Sequence, residues 1–540
     1  MPRTKCWPAA ICLAVVLTLD AVIADEPLHV QVDRLIAVKA AGQPMSVPAD
    51  DAEFLRRAVL DLAGRIPSAA ESRAFLNDAE PAAQKRAKMI DQLLAGPDYP
   101  RRMQELAHVM LMERRGDNPD WLAFLKTSFE ANKPLNSLVK EILFPDPKND
   151  ATRGAGFFLS KRLEKYGENP VDYPGLTRDV GRLFLGMDLQ CAQCHDHLFV
   201  KDYKQADFQG LFAFFQNTAP RTDVKFPAVA EKLMTQKLEF QSVFKKEKKE
   251  TGPRVPGKDE IEVATFPKGE EFAEPPDKKS NSPGVPKFSP LAKLAEQLPA
   301  ADNAAFARNL ANRVWFVMMG RGLVHPLDLH HSENPPSHPE LLDVLTREFA
   351  AHSFDVKWLL RELALTETYQ RSSRLPDGVT DSPPELFLVG HEKYMSAEQL
   401  LWSVLQATGS DAATGKPLLP PGATPDKLRE KFVKAFANPP GDPEGDFAPS
   451  LRAALFILND TAVLECLKPQ PGNLIDRLSN LENADQVADE LYIRVLTRKP
   501  TPGERAELAE FLPRHSNERT KALANLTWAL LASTEFCVNH

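Results

Sequence analysis

The stretch LTRDVGRLFLGMDLQCAQCHDHLF, residues 176–199, decides how the rest of the chain is read. In its first half Leu176, Val180, Leu183, Phe184 and Met187 recur at i, i+4, i+7, i+8 and i+11. That spacing puts apolar side chains on one face of an α-helix. The helix delivers the chain into Cys191-Ala-Gln-Cys-His-Asp-His197, and Phe208, Leu211, Phe212 and Phe215 then mark a second amphipathic helix. The motif is therefore expected on a helix end or tight connection between two core-packing helices.

Working outward, residues 51–217 read as mostly helical, with Phe54, Ala58, Leu62 and later Phe75, Met89 and Leu93 at helical spacing. Residues 218–290 change character: Pro, Lys and Glu dominate, with Gly252-Pro253 and Pro256-Gly257 as breakers. Here Ile261-Glu-Val-Ala-Thr-Phe266 favours a strand, and Phe244-Lys-Lys-Glu-Lys-Lys-Glu250 reads as a solvated loop. The helical pattern returns from about 291 and runs to His540, interrupted over 409–447. The expected fold is mainly α. Two helical domains, 25–217 and 291–540, are joined by a linker over 218–290 with a small β-element.

One internal echo stands out. Arg65-Ile-Pro-Ser-Ala-Ala-Glu71 and Arg498-Lys-Pro-Thr-Pro-Gly-Glu504 align without a gap, and each presents Ser or Thr three residues before Glu. This is the capping-box signature, in which hydroxyl and carboxylate satisfy each other's end of the first helical turn. Ser337-His-Pro-Glu340 carries the same spacing.

The N-terminus sets the compartment. Arg3 and Lys5 precede an apolar run from Ile11 to Leu19, and Val22-Ile-Ala24 offers a cleavage site, so residues 1–24 read as a secretory signal peptide. The protein is expected to be exported, periplasmic or extracellular, with no stable membrane insertion once the signal is removed. Cleavage would take Cys6 and Cys12 with it and leave Cys191, Cys194, Cys466 and Cys537, too few for a disulfide scaffold in a chain this long. A net charge of −8 exerts no overall pull toward nucleic acid.

Cys191-Ala-Gln-Cys194-His195 fits C-x-x-C-H, the attachment signature of haem c. Two thiols about one turn apart can each form a thioether to the porphyrin, and the next residue brings an imidazole to the iron. On this reading Cys191, Cys194 and His195 hold the cofactor, with Asp196 and His197 tuning from outside. Three other readings stay open. The thiols could form a redox dithiol, a zinc or iron site with His195 and His197, or a structural disulfide. Asp196 also suits a helix cap. A sixth iron ligand is not identifiable: Met103, His108, Met110, Met112, Met318 and Met319 all read as core packing. His325, His330, His331 and His338, with Asp328 and Glu333, crowd a Pro-rich stretch whose spacing fits no ligand template. A polar interdomain loop is the simpler reading.

Longer strings carry a resemblance. Phe54-Leu-Arg-Arg-Ala-Val-Leu-Asp-Leu-Ala-Gly-Arg-Ile-Pro67, Asn132-Lys-Pro134, Arg182-Leu-Phe-Leu-Gly186 and the Cys191–His197 motif resemble the planctomycete cytochrome-type domain DUF1549 (PSCyt2). Asn312-Arg-Val-Trp315, Gly320-Arg-Gly-Leu-Val324, the Asn334–Asp343 block and Thr368-Tyr-Gln-Arg-Ser-Ser373 resemble its companion DUF1553 (PSD1). The resemblance implies a large, secreted, mainly helical protein with a haem-c role resting on the same motif. Leu198 stands where the family usually has proline, and Asp328 is followed by Leu329 where a second acid is common. The function expected is electron transfer, or oxidative chemistry on an extracellular polymer. The alternative is a non-haem scaffold that binds a glycan or partner.

Overall fold

The helix Asp51–Ala63 shows how local chemistry builds this chain. Asp50 accepts the amides of Ala52 and Glu53 through its carboxylate, satisfying donors that the first helical turn leaves open. Gly64, at φ +70°, then ends the helix in the left-handed conformation that glycine adopts without strain. From Glu53 to Ala63 every residue is buried. A helix buried all round lies inside the molecule rather than on its surface.

The computed structural model describes residues 26–409, 418–443, 456 and 459–540; the signal peptide read over 1–24 and residues 410–417 and 444–447 of the expected 409–447 interruption lie outside them. The middle of that interruption is not a loop but the helix Pro425–Phe436, whose Leu428, Phe432 and Phe436 are buried in a core. The architecture is mainly α, and the described strands form only small two-stranded sheets. No described helix is long and apolar enough to cross a membrane.

One hydrophobic core gathers side chains from Leu28 to Phe387, so Phe158, Phe184 and Phe208 share it with Trp315, Leu341 and Phe349. Helices from both sides of the 218–290 segment therefore pack into a single interior. A second core joins Met395 through Phe536 and recruits Leu60 and Ile66 from the N-terminal half.

The 218–290 segment holds three antiparallel pairs: Thr218–Pro220 with Val229–Glu231, Leu238–Gln241 with Lys248–Thr251, and Phe272–Glu274 with Val285–Pro286. The expected strand Ile261–Phe266 does not pair. Its Ile261, Val263 and Phe266 instead pack beside Met234 and Phe288, so the apolar pattern reports burial of an irregular segment. The run 244–250 is exposed as expected, but its second half is the Lys248–Thr251 strand of a hairpin.

Both aligned capping boxes form. Ser68 with Glu71 and Thr501 with Glu504 make the reciprocal bonds. Arg65 and Arg498 each fork onto the box glutamate, at 2.8 and 2.9 Å for Glu71 and 2.9 and 2.8 Å for Glu504. The third candidate does not form. The helix Pro339–Ala351 is capped at His338, and the Ser337 hydroxyl lies 3.0 Å from His338 Nδ1 instead.

Candidate functional site

The leading helix spans Tyr173–Leu185 and stops at Gly186, φ +68°. Leu176, Val180, Leu183 and Phe184 are buried in the core as the stripe predicts. Met187 falls past the helix end and pairs with Leu329 across an isolated β-bridge. Cys191–Gln193 then forms a single 3-10 turn, and the next helix starts at Gln205. The turn is tied down from three sides. Ala192 is fully buried; Arg178 donates to the Gln193 side-chain oxygen at 2.8 Å, and Gln209 donates to the Gln193 carbonyl at 3.0 Å.

On this anchored turn Cys191 and Cys194 are both exposed free thiols. His195 Nδ1 lies 2.7 Å from the Asp196 carbonyl oxygen. A carbonyl only accepts, so Nδ1 carries the proton and Nε2 keeps its lone pair. His197 has the opposite arrangement: its Nδ1 accepts the amides of Phe199 at 3.2 Å and Val200 at 2.9 Å, which puts its proton on Nε2. His197 thus folds the 197–200 turn. Asp196 accepts the Gln205 amide at 2.9 Å and caps the following helix, the simpler of its two expected roles.

The surroundings of the thiols are apolar and open. Leu198 is 67% exposed, Phe199 81%, Val243 67% and Phe244 67%. The last two come from the tip of the Leu238–Thr251 hairpin, which docks through Val243 N–H donating to the Cys194 carbonyl at 3.1 Å. Phe244 lies over the His195 ring at 4.8 Å between centroids. Large apolar side chains are seldom this exposed together unless something covers them. Sequence reading missed Val243 and Phe244, whose only signal is two apolar residues heading a lysine-rich run.

The other candidate ligands are engaged elsewhere. His108 Nε2 meets Asp117 at 2.8 Å while its Nδ1 accepts the Trp121 indole N–H at 3.0 Å. Met103, Met112, Met318 and Met319 are buried in the core. Among the described residues no group of three or more His, Cys, Asp or Glu is placed to hold a metal ion.

The histidine-rich stretch is an irregular segment that packs against the end of the helix Tyr173–Leu185. His330 N–H donates to the Gly186 carbonyl at 2.9 Å, and Asp188 N–H donates to the Asp328 carbonyl at 3.0 Å. Asp328 is gripped by Arg182 at 3.1 Å and by Arg313. Burial, then the neighbouring Arg313, pushes His330 down to about 4. His338 is also brought down to about 4, by burial and by Lys39. Tyr203 links loop and motif: its hydroxyl donates to the His330 carbonyl at 3.1 Å, its carbonyl accepts the His197 amide at 2.9 Å, and its ring meets that of His331 edge-on at 5.3 Å. Beside this junction lies a cleft of about 490 Å³, lined among others by Met187, Asp202, Asp207, Arg308 and His331.

Two family models match the chain: PSCyt2, described as a protein of unknown function (DUF1549), over residues 31–220, and PSD1, a protein of unknown function (DUF1553), over residues 292–438. No curated protein matches the chain, and no solved structure does. The chain belongs to the proteins in which a PSCyt2 domain, here carrying the cysteine–histidine turn, is followed by a PSD1 domain, here supplying the loop packed against it.

Proposed function

We propose that this protein is an exported carrier of one haem c, attached through Cys191 and Cys194 and bound at iron by His195 Nε2, and that it works in electron transfer. The observation that carries the reading is the state of His195. Its Nδ1–H is committed to the Asp196 carbonyl, which leaves Nε2 as the ring's acceptor, directly after the second of two exposed thiols in the chain. Metal-binding imidazoles are commonly fixed by such a bond from the other ring nitrogen. The exposed Leu198, Phe199, Val243 and Phe244 provide the apolar surroundings that a porphyrin face needs. In attachment each S–H adds across one vinyl double bond, sulfur to one carbon and hydrogen to the other, so no group leaves. When bound, the haem supplies a one-electron couple.

The test is to produce the full chain in a host that assembles c-type cytochromes. A Soret band, haem staining on a denaturing gel and a mass increased by one haem are expected. A colourless protein with the bare polypeptide mass overturns the reading, and metal analysis of that sample separates zinc or iron from a disulfide. In the coloured protein His195→Ala should keep the mass increase while shifting the iron spin state. An unchanged spectrum removes His195 as the iron ligand.

A further inference from the structure

The cleft next to the motif is built from all three parts of the chain. Met187, Asp202 and Asp207 come from the PSCyt2 side, Pro256 and Gly257 from the connecting segment, and Arg308 with the loop 330–336 from the PSD1 side. Its volume, about 490 Å³, falls in the range of small-molecule sites, which cluster at domain junctions. Gly257 stands at its edge with open space where a side chain would project.

The polar groups on its walls are mixed and nearly balanced. Asp202 accepts the Ser332 amide at 2.5 Å, and Asp207 pairs with Arg254 at 3.1 Å. Arg308 brings a guanidinium that pairs with the exposed Asp343 at 3.1 Å. The Nδ1 of His331 is buried without a hydrogen-bond partner among the described residues. Arg308 and His331 are, with His330, the titratable side chains that the PSD1 side brings to the lining. Because Arg254, outside the lining, already neutralises Asp207, the cleft is left with Asp202 and Arg308, which together favour neither a phosphate nor a free cation. They suit a ligand that donates to carboxylates and accepts from arginine with the same kind of group, which is what a hydroxyl does. Between these groups the lining is apolar, with Leu185, Val324, Pro335 and Pro336. Such a surface takes the C–H face of a ring.

We infer that this cleft binds a neutral, hydroxyl-rich ligand, a sugar unit of a glycan, held by Asp202 and Arg308 over the apolar lining. The inference stands independently of haem attachment.

The full chain, prepared with and without haem-assembly machinery, is applied to an array of neutral and sulfated glycans, and the strongest neutral glycan is titrated calorimetrically. Binding to neutral glycans by both preparations is expected. Asp202→Asn keeps an oxygen for the Ser332 amide, and Arg308→Met gives up an ion pair to the exposed Asp343. Each should weaken binding at least tenfold with the melting temperature unchanged. No binding on the array, a preference for sulfated glycans, or affinity untouched by both substitutions overturns the inference. Failure of the haem reading leaves the bare chain still binding.

Discussion

Two imidazoles two residues apart carry their protons on opposite nitrogens, and that difference separates their roles. His195 has a lone pair to offer, whereas His197 spends its Nδ1 lone pair on two backbone amides. Replacing His197 by Ala should therefore leave the visible spectrum of haem-loaded protein unchanged. It should cost about 1–2 kcal/mol of stability, the order expected when amide donors lose a partner. A spectral change as large as that of His195→Ala contradicts this division. Gly186 is a second point where one atom matters. At φ +68° a Cβ would sit 2.5 Å from His330 Cδ2 and 2.9 Å from Asn309 Oδ1. Gly186→Ala should destabilise by about 2–3 kcal/mol through strain and overpacking, measured by urea unfolding. At this scale the motif itself was legible, because its chemistry lies in consecutive residues. Phe244 was not, because it reaches His195 only through the fold.

At the scale of elements, local pattern succeeded wherever a device closes within one turn of helix. The boxes at Ser68 and Thr501 were readable for that reason. Ser337-His-Pro-Glu340 misled because proline takes the first helical position, as its fixed φ favours, which makes His338 the cap and shifts Glu340 out of place. The loop that carries His338 is also the one that braces the two family domains, and it has a pH dependence. His330 and His338 are both lowered from 6.5 to about 4, so the fold prefers their neutral forms. Their contribution is complete above about pH 6.5 and is lost as pH falls toward 4. The groups acting on them include Arg308, Arg313, Asp328 and His331 for His330, and Lys39 for His338. Hydrogen exchange, corrected for intrinsic rates, should show the 325–338 segment losing protection between pH 7 and 4.5 before the helix Asp51–Ala63 does. His330→Gln should reduce that loss. Equal protection of loop and helix at pH 4.5 would rule the mechanism out.

At the scale of the molecule, the sequence divides at its Pro/Lys/Glu-rich segment while the interior does not. Composition marks a linker, but shared burial is a property of distant residues, so the common core of Phe184 and Trp315 left no local trace. The Asp51–Ala63 helix makes the dependence concrete. Arg56 donates to the Phe536 carbonyl at 2.7 Å, and Asp61 receives Lys393 at 2.7 Å, the Tyr369 hydroxyl at 2.9 Å and Asn539 at 2.8 Å. Asp61→Asn would leave the Lys393 ammonium without its counter-charge, at a cost of about 3–5 kcal/mol, read as a lowered midpoint in urea. The same contacts predict the behaviour of a fragment. Residues 25–290 contain the whole PSCyt2 match and the connecting segment, yet alone they would expose the face of the core that Phe306, Trp315, Leu341 and Leu359 cover. They would also strand a buried Arg56 and Asp61 without their partners. Apolar area and orphaned charge act in the same direction, so this fragment should aggregate or give a non-cooperative thermal melt, whereas the full chain melts cooperatively. A soluble 25–290 fragment with a sharp transition and dispersed amide resonances would show that the first family domain folds on its own, and that the shared core is docking between finished domains.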